Sequence, residues 1–312
     1  MMGRDAAPVL VTGATGNVGR EVIRCLGVQG TPFVAGVTDP ERARTVLGAA
    51  TPLVRLDLRD PGTYEAALRG ARGVFLLRPP PIADVRTTLN VLVDRAMDAG
   101  VRHVTFLSVD GADRQRWVPH HAVERHLIAR GISCTLLRPG FFAQNLADAY
   151  LADLREDSRL YVPAGHGRVA FVDVRDVAEV AARSFVDPAL RGQACTLTGA
   201  EAFTFKEVAA LLSTTLGRTV LYEPASIPGY LLHLRRRRVG WGQALVQTVL
   251  HVGLRLGNAA RVDPTLGRLL GRRARTVADY IRDAHELWEP SGTTQEDRRR
   301  LSPASTRRPR HE

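Results

Sequence analysis

Three glycines spaced three residues apart follow a short apolar run near the start of the chain, a pattern suited to holding phosphate groups. The apolar run at 9–11 leads into Gly13, Gly16 and Gly19, and helical spacing of apolar residues begins at Val18. One glycine permits a sharp turn, one lets phosphates approach the backbone, and one lets helix and strand pack closely. The first helical turn adds unpaired N–H groups and partial positive charge. The pattern predicts a dinucleotide pyrophosphate site, and the alternative is an ordinary glycine-rich turn.

Residues that could handle a proton lie further along the chain. Ser108 ends an apolar run, where its hydroxyl could hydrogen-bond a carbonyl or could simply end a strand. His120 and His121 are a titratable pair, and histidine is a sensible donor near neutral pH. Because Pro119 is typical of a helix start, we favour a surface pair on the first turn over a catalytic one.

Apolar runs that alternate with helical patterns must position these residues, and they predict an α/β fold: a doubly wound parallel (Rossmann) sheet with a smaller, mostly helical α+β C-terminal substrate domain. The predicted strands are 8–12, 32–37, 52–56, 73–77, 102–108 and 133–138. The predicted helices between them are 17–29, 40–48, 60–69, 84–99 and 119–130. Glycines suited to left-handed C-caps follow four of these helices, at Gly30, Gly70, Gly100 and Gly131.

The alternation changes after Pro139. We predict helices at 142–155, from the N-cap Asp173 to about 186, and at 204–216, and a largely helical remainder to 289. A short strand or turn is predicted near 159–163, and further strands at 168–172, 194–198 and 219–222. The predicted domains are a nucleotide-binding domain at 1–150 with parts of 168–200, a substrate-binding or lid region at 151–289, and a basic disordered tail at 290–312.

Composition narrows the class of protein. The 312 residues carry a net charge of +11, but the excess is concentrated in the run from Arg235 to Arg238 and in six arginines after 290. This distribution argues against a nucleic-acid-binding face. The three cysteines show no metal-ligand spacing, and no secretory signal precedes the first strand, so we expect a cytoplasmic protein.

The stretch 239–254 carries no charged side chain and directly follows four arginines. One interpretation is a helix on or across a membrane, but about 16 residues are fewer than the roughly 20 that a span requires. We favour a helix that covers a substrate pocket and expect no stable membrane insertion.

The segment 12–19 (TGATGNVG) resembles the opening of the NmrA-like group of atypical short-chain dehydrogenases/reductases. The segments 136–145 (LLRPGFFAQN), 171–178 (FVDVRDVA) and 275–280 (RTVADY) are similar to later parts of that group. The resemblance covers about residues 8–289. It implies NAD(P)(H) in the first domain and a small-molecule substrate over the nicotinamide, without indicating an oligomeric state.

The resemblance also implies roles for individual residues. The pyrophosphate would be held by Gly13, Thr15, Gly16, Asn17, Val18 and Gly19. Asp57 and Leu58 would flank the adenine, and Leu77 to Pro79 would line the ribose. Residues near the nicotinamide would be Ser108, Pro139, Gly140, Phe141 and Phe142, with Asn145 near the substrate.

The choice between NAD and NADP depends on the end of the second strand. Thr38 occupies the position where many members of the group have an arginine for the 2′-phosphate. Asp39 could bind a ribose hydroxyl, but Asp39-Pro40 is also typical of a helix cap, which we favour. The family resemblance favours NADP(H) slightly.

Short-chain reductases usually rely on a Tyr-x-x-x-Lys pair, and this chain has none because its single lysine is Lys206. If Trp117 and His121 fill those positions, neither can play the usual part. Two hypotheses follow. The chain is an NAD(P)H-dependent oxidoreductase for a conjugated, quinone-like or carbonyl acceptor, or it is a non-catalytic NAD(P)-sensing regulatory protein.

Overall fold

A seven-stranded parallel sheet lies at the centre of the computed structural model, which describes residues 7–80 and 82–289. The elements up to the sixth strand are β1 (Val9–Val11), α1 (Asn17–Val28), β2 (Phe33–Val37), α2 (Pro40–Leu47), β3 (Leu53–Arg55), α3 (Tyr64–Leu68), β4 (Gly73–Leu77), α4 (Leu89–Asp98), β5 (His103–Leu107), α5 (Pro119–Ala129) and β6 (Cys134–Pro139). The later elements are α6 (Leu151–Glu156), β7 (Arg159–Val162), β8 (Arg168–Val169), α7 (Val174–Arg183), β9 (Ala194–Leu197), β10 (Phe203–Thr204), α8 (Phe205–Leu216), β11 (Leu221–Pro224), α9 (Ile227–Arg236), α10 (Trp241–Arg255), α11 (Thr265–Leu270) and α12 (Val277–Asp283).

The strand order is β3-β2-β1-β4-β5-β6-β9. The chain adds β2 and β3 on one side of β1 and then adds β4 and the later strands on its other side, so the order of strands reverses at β1. Val9 pairs with Phe33 on one side and with Gly73 on the other, both in parallel register. One apolar cluster joins the sheet to α1 and α7, and a second joins the opposite face to α3, α4 and α5. Burial on both faces explains the continuous apolar strands and confirms the predicted doubly wound α/β fold.

The glycines predicted to end helices adopt the left-handed backbone that this role requires. Gly30, Gly70, Gly100 and Gly131 have φ angles of 69°, 71°, 79° and 67°. These positions confirm that the helix ends are set by local sequence.

A third apolar cluster forms the core of the C-terminal lobe. Its largest fully buried side chains are Tyr150, Phe171, Phe205 and Trp288. Two small sheets, β7 with β11 and β8 with β10, pack there with the later helices. Leu266 of α11 instead packs in the first cluster, beside the nucleotide-binding sheet.

Two predicted helices are wrong in extent. The segment 142–155 forms a 3₁₀ turn at Ala143–Leu146 and then α6, because the Tyr150 amide bonds to the Asn145 carbonyl and interrupts α-helical register. The helix predicted at 84–99 begins only at Leu89. The Asp84 side chain accepts hydrogen bonds from the amides of Arg86 and Thr87 and holds these residues in a turn before the helix.

Helix α10 includes most of the charge-free stretch identified in the sequence. Across residues 7–80 and 82–289, none of the helices has both the length and the apolar character needed to cross a membrane. The predicted basic tail at 290–312 lies outside the described residues.

Candidate active site

The predicted site residues lie at the carboxyl ends of four neighbouring strands. Gly13, Leu77, Ser108 and Pro139 follow or end β1, β4, β5 and β6, which are adjacent in the sheet. The Thr12 hydroxyl accepts a hydrogen bond from the Leu77 amide at 3.0 Å and connects two of these ends. Ligands of doubly wound sheets bind at this edge, beside the strand where the order reverses.

The start of α1 is open to an anion. Its N-cap is Gly16, which provides no side-chain hydrogen bond, and no acidic residue lies in the first turn. By contrast, α2, α7 and α8 are capped by Asp39, Asp173 and Thr204. The first-turn amides of α1 therefore remain available, and the loop fits the diphosphate of a dinucleotide.

The glycines of this loop are required by close packing. A Cβ on Gly19 would lie 2.2 Å from the Gly13 carbonyl oxygen, so helix and loop touch through backbone alone. Gly13 has φ of +60°, and a Cβ there would lie 2.7 Å from the Leu77 side chain. Thr15 and Gly16 are exposed at the mouth of the loop, and Val18 is half-buried beneath it.

Asn17 connects the phosphate loop to the C-terminal lobe. Its side-chain amide donates to Asp148 at 2.6 Å, and its carbonyl oxygen accepts from Arg20 at 3.0 Å. A cavity of about 400 Å³ opens beside these residues and is also lined by Gln144 and Tyr280. Asp148 falls within the predicted nucleotide-binding domain at 1–150, but its neighbours Leu146 and Tyr150 pack in the C-terminal cluster, so the phosphate loop contacts the lobe built on that cluster.

The residues predicted for the adenine end lie on the other half of the sheet edge. Thr38 is exposed directly after β2, and the Asp39 carboxylate accepts from the Arg42 amide at 3.1 Å, which confirms its role as a helix cap. The Asp57 carboxylate accepts from the Arg59 amide. Leu58 packs in the core, so only its backbone is left to face a ligand.

Ser108 belongs to a buried polar group rather than standing free at the strand end. Its hydroxyl donates to the Glu124 carboxylate at 2.5 Å. The same carboxylate accepts two hydrogen bonds from the Arg138 guanidinium, at 3.0 and 2.6 Å. Glu124 raises the pKa of Arg138 through this contact. The Ser108 hydroxyl proton is therefore used in the hydrogen bond to Glu124, and the hydroxyl oxygen can still accept a hydrogen bond.

His120 is buried, so the favoured interpretation of a surface pair is wrong for this residue. Helix α5 runs antiparallel to the strands, and its first turn lies over the carboxyl edge, where His120 is 8% exposed and packs beside Phe106. The Arg78 Nε–H donates to His120 Nε2 at 3.4 Å, so the ring proton belongs on Nδ1. That buried Nδ1 has no hydrogen-bond partner in the part of the chain described. Burial, and secondarily the charge of Arg78, lower the pKa of His120 to about 3.

The two residues expected at the usual catalytic positions lie in different surroundings: Trp117 is exposed to solvent, and His121 lines a cavity with Glu124 and Arg138. Trp117 is 76% exposed and precedes α5. His121 is half-buried, and its Nδ1 lies 2.7 Å from the Ala112 carbonyl oxygen. Instead, His120 and Glu124, four residues apart, form the polar face of α5 toward the strands, since this spacing places them on one side of a helix.

The segment after β6 forms the border with the C-terminal lobe. The Pro139 carbonyl accepts from the Asp110 amide, and the Gly140 amide donates to Leu197. Phe142 pairs with Val172 through a parallel bridge. The Asn145 side-chain amide has no hydrogen-bond partner among residues 7–80 and 82–289 and is half-buried, as a substrate ligand would be.

Phe141 rests on an aromatic cluster that includes α10. Its ring meets those of Phe171 and His251 edge to face, at 5.7 and 6.1 Å between centroids. The Tyr150 hydroxyl donates to His251 Nε2, and His251 Nδ1 bonds the Gln247 carbonyl at 2.6 Å. Burial raises the pKa of Tyr150 well above its usual value, so this tyrosine is a structural hydrogen-bond donor.

Sequence reasoning missed the contact of Arg78 with His120 and the Glu124–Arg138 pair. One signal was available for the latter, because Arg138 interrupts the apolar run 134–139 of a strand that is otherwise buried. A charge at such a position requires a partner. No comparable signal identifies Arg78, whose contact with His120 spans 42 residues of chain.

Comparison with known proteins agrees with this architecture. The chain is 32% identical to the NAD(P)H azoreductase of Xenophilus azovorans over 286 residues, which cover 88% of this chain and 96% of the relative. It is 27% identical to quinone oxidoreductase 2 of Escherichia coli, covering 88% and 97%. The crystal structure of that oxidoreductase complexed with NADPH superposes with a TM-score of 0.79 at 26% identity, covering 89% and 99%.

The crystal structure of Citrobacter sp. triphenylmethane reductase complexed with NADP(H) also superposes with a TM-score of 0.79, at 24% identity, and supports the fold. The NmrA-like family description matches residues 6–252, which include the phosphate loop, the strand edge and most of α10. The resemblance inferred from four short segments thus extends over most of the chain. The chain belongs to the NmrA-like family.

Proposed function

We propose that this protein is an NAD(P)H-dependent reductase that transfers hydride to a small conjugated, quinone-like or carbonyl acceptor. The observation that carries the proposal is the open phosphate loop in a chain 32% identical, over most of its length, to an NAD(P)H azoreductase. NADP(H) is the favoured cofactor, as the crystal structure of quinone oxidoreductase 2 was obtained with NADPH.

In this proposal the chain binds and orients the cofactor through the first-turn amides of α1 and the edge formed by Leu77, Pro79 and Pro139. When bound, the reduced nicotinamide supplies the hydride. The acceptor gains that hydride and then a proton from water, so no strong acid has to be supplied by the protein.

His120 is proposed to hydrogen-bond the acceptor oxygen, which requires the bound acceptor to displace the side chains that cover its buried Nδ1. Arg78 holds the ring with its proton on Nδ1, and this donor has no partner in the described structure. With a pKa of about 3 the ring is neutral at pH 7, so it stabilises developing negative charge as a hydrogen-bond donor and does not act as an imidazolium acid. Ser108 and Asn145 are proposed to position the substrate, and His121 contributes less because its ring bonds a backbone carbonyl.

Spectrophotometric turnover with a panel of quinones, enones and azo dyes tests the proposal. We expect NADPH oxidation that depends on an acceptor, and a loss of about 100-fold in kcat in His120→Phe, as for removal of one oxyanion donor. His121→Phe is the matched control and should retain most activity. Calorimetric titration checks that both variants bind NADPH.

Binding of NADPH without turnover of any acceptor would refute the reductase proposal and favour the NAD(P)-sensing alternative. Equal losses in the two histidine variants would refute the role assigned to His120 and leave the reductase proposal standing.

A further inference from the structure

One face of α10 exposes a row of large apolar side chains. Between 53% and 75% of each is accessible to solvent at Trp241, Leu245, Val246, Val249, Leu250 and Leu256. The opposite face of the helix is buried in the C-terminal lobe through Ala244, Thr248, His251 and Leu254. Side chains that are more than half exposed do not line a narrow pocket, so this face points to bulk solvent. Contiguous apolar surface of this kind marks an interaction site.

The charged residues that flank this face along the chain are positive: Arg235 to Arg238 before it and Arg255 after it. The stretch 239–254 contains no charged residue. At its start, the Arg235 guanidinium lies 4.7 Å from the centroid of the Trp241 ring, which joins the arginine run to the apolar face. Arg236 and Arg238 are exposed, and neither guanidinium has a partner among the residues described.

Arg237 behaves differently from its neighbours. Its guanidinium is bound to Asp153, Glu156 and Asp157 of the α6 region. Arg236 and Arg238 take no part in this cluster, in which three carboxylates share one arginine, so both remain available to an external anion.

We propose that the exposed face of α10, together with Arg236 and Arg238, docks the protein on an anionic lipid surface. The helix would lie in the plane of the interface with its apolar side chains among the acyl chains, since interfacial helices combine an apolar face with flanking basic residues. Trp241 lies at the start of the helix next to the arginines, and tryptophan prefers the boundary between headgroups and acyl chains.

A second copy of the chain fits this face less well. A two-fold symmetric contact must be self-complementary. This face offers apolar groups and two arginines outside any ion pair, while the carboxylates of the α6 region are already bound to Arg237, so pairing two copies would leave those arginines unneutralised. An anionic lipid surface satisfies both the apolar and the charged parts of the face.

Sedimentation of the full-length chain with vesicles tests the proposal. We expect binding to phosphatidylcholine vesicles that contain one quarter phosphatidylglycerol, and much weaker binding to pure phosphatidylcholine. The double variant Leu245→Ser/Leu250→Ser should reduce the partition coefficient at least tenfold. Arg236→Gln/Arg238→Asn should reduce it about tenfold, because each cation near an anionic surface contributes to binding.

The matched control is Val28→Ser/Ile128→Ser, which removes two exposed apolar side chains from other helices and should bind as the unmodified chain does. Thermal melting establishes that each variant is folded.

Three results would overturn the proposal. The unmodified chain could fail to bind anionic vesicles. Binding could be unchanged in Leu245→Ser/Leu250→Ser, which would assign it to net charge elsewhere in the chain. Light scattering could show a dimer that this variant dissociates, which would assign the face to a second copy.

Discussion

Replacing Gly19 by alanine is expected to abolish tight nucleotide binding although the new side chain never touches the ligand. The added Cβ would lie 2.2 Å from the Gly13 carbonyl oxygen, 2.7 Å from the Gly13 carbonyl carbon and 2.8 Å from Ala14 Cα. These are backbone atoms, so the loop must move by about 1 Å to restore ordinary contact at 3.4 Å or more. Overpacking of this kind costs about 1–3 kcal/mol of stability.

The displaced loop would also misalign the first-turn amides of α1. Each hydrogen bond to a charged group contributes about 1.5–3 kcal/mol, so losing one should raise the Kd for NADPH by about 10- to 100-fold. Isothermal titration calorimetry measures this change directly, and thermal melting separates it from unfolding.

Gly27→Ala is the matched control, because it makes the same substitution in the same helix. A Cβ there would meet only the Phe33 ring at 3.9 Å, an ordinary contact. The control should bind NADPH normally and gain about 0.5–1 kcal/mol of stability, since alanine favours the helix. A Gly19→Ala protein with unchanged affinity, or an equal loss of affinity in Gly27→Ala, would refute the close-packing argument.

Three further predictions concern stability and cofactor choice. Burial lowers the pKa of His103, His120 and His251 to about 4, 3 and 4, so the unfolded chain binds more protons below pH 6.5 and the free energy of unfolding should fall as pH decreases. The slope should approach about 4 kcal/mol per pH unit near pH 5, and chemical denaturation between pH 7 and 5 that shows no decline would contradict this. Glu124→Gln removes the nearer of two carboxylates that Arg138 faces, leaving Asp113 at 3.3 Å, and should lower the free energy of unfolding by about 2 kcal/mol in urea titrations; a change below 1 kcal/mol would show that the pair is dispensable. Thr38→Arg places a guanidinium at the exposed end of β2 and should shift the Kd ratio of NADH to NADPH toward NADPH by about tenfold, whereas an unchanged ratio would place the 2′-phosphate elsewhere.

Local patterns were sufficient to predict the fold and the conformation of the glycine loop. Gly16 and Gly19 meet the backbone of Gly13, and the four C-cap glycines and the Asp39 cap also act within a few residues of their partners, so their spacing in the sequence specifies their geometry. The buried strands needed only an apolar run of the right length. The wrong helix prediction at 142–155 has the opposite origin. Apolar residues there keep a helical spacing, but the Tyr150 ring packs against Phe205 and His251, which are distant in the sequence.

The sequence by itself determined the doubly wound sheet and the glycine loop, because backbone conformation and strand burial follow from neighbouring residue types. Only the tertiary structure decided what the polar side chains do. Ser108 gives its proton to Glu124, Arg78 fixes the tautomer of His120 across 42 residues, and Tyr150 meets His251 across 101 residues. A buried polar group takes whichever partner the packed fold brings within hydrogen-bond distance, and that partner cannot be identified from spacing along the chain.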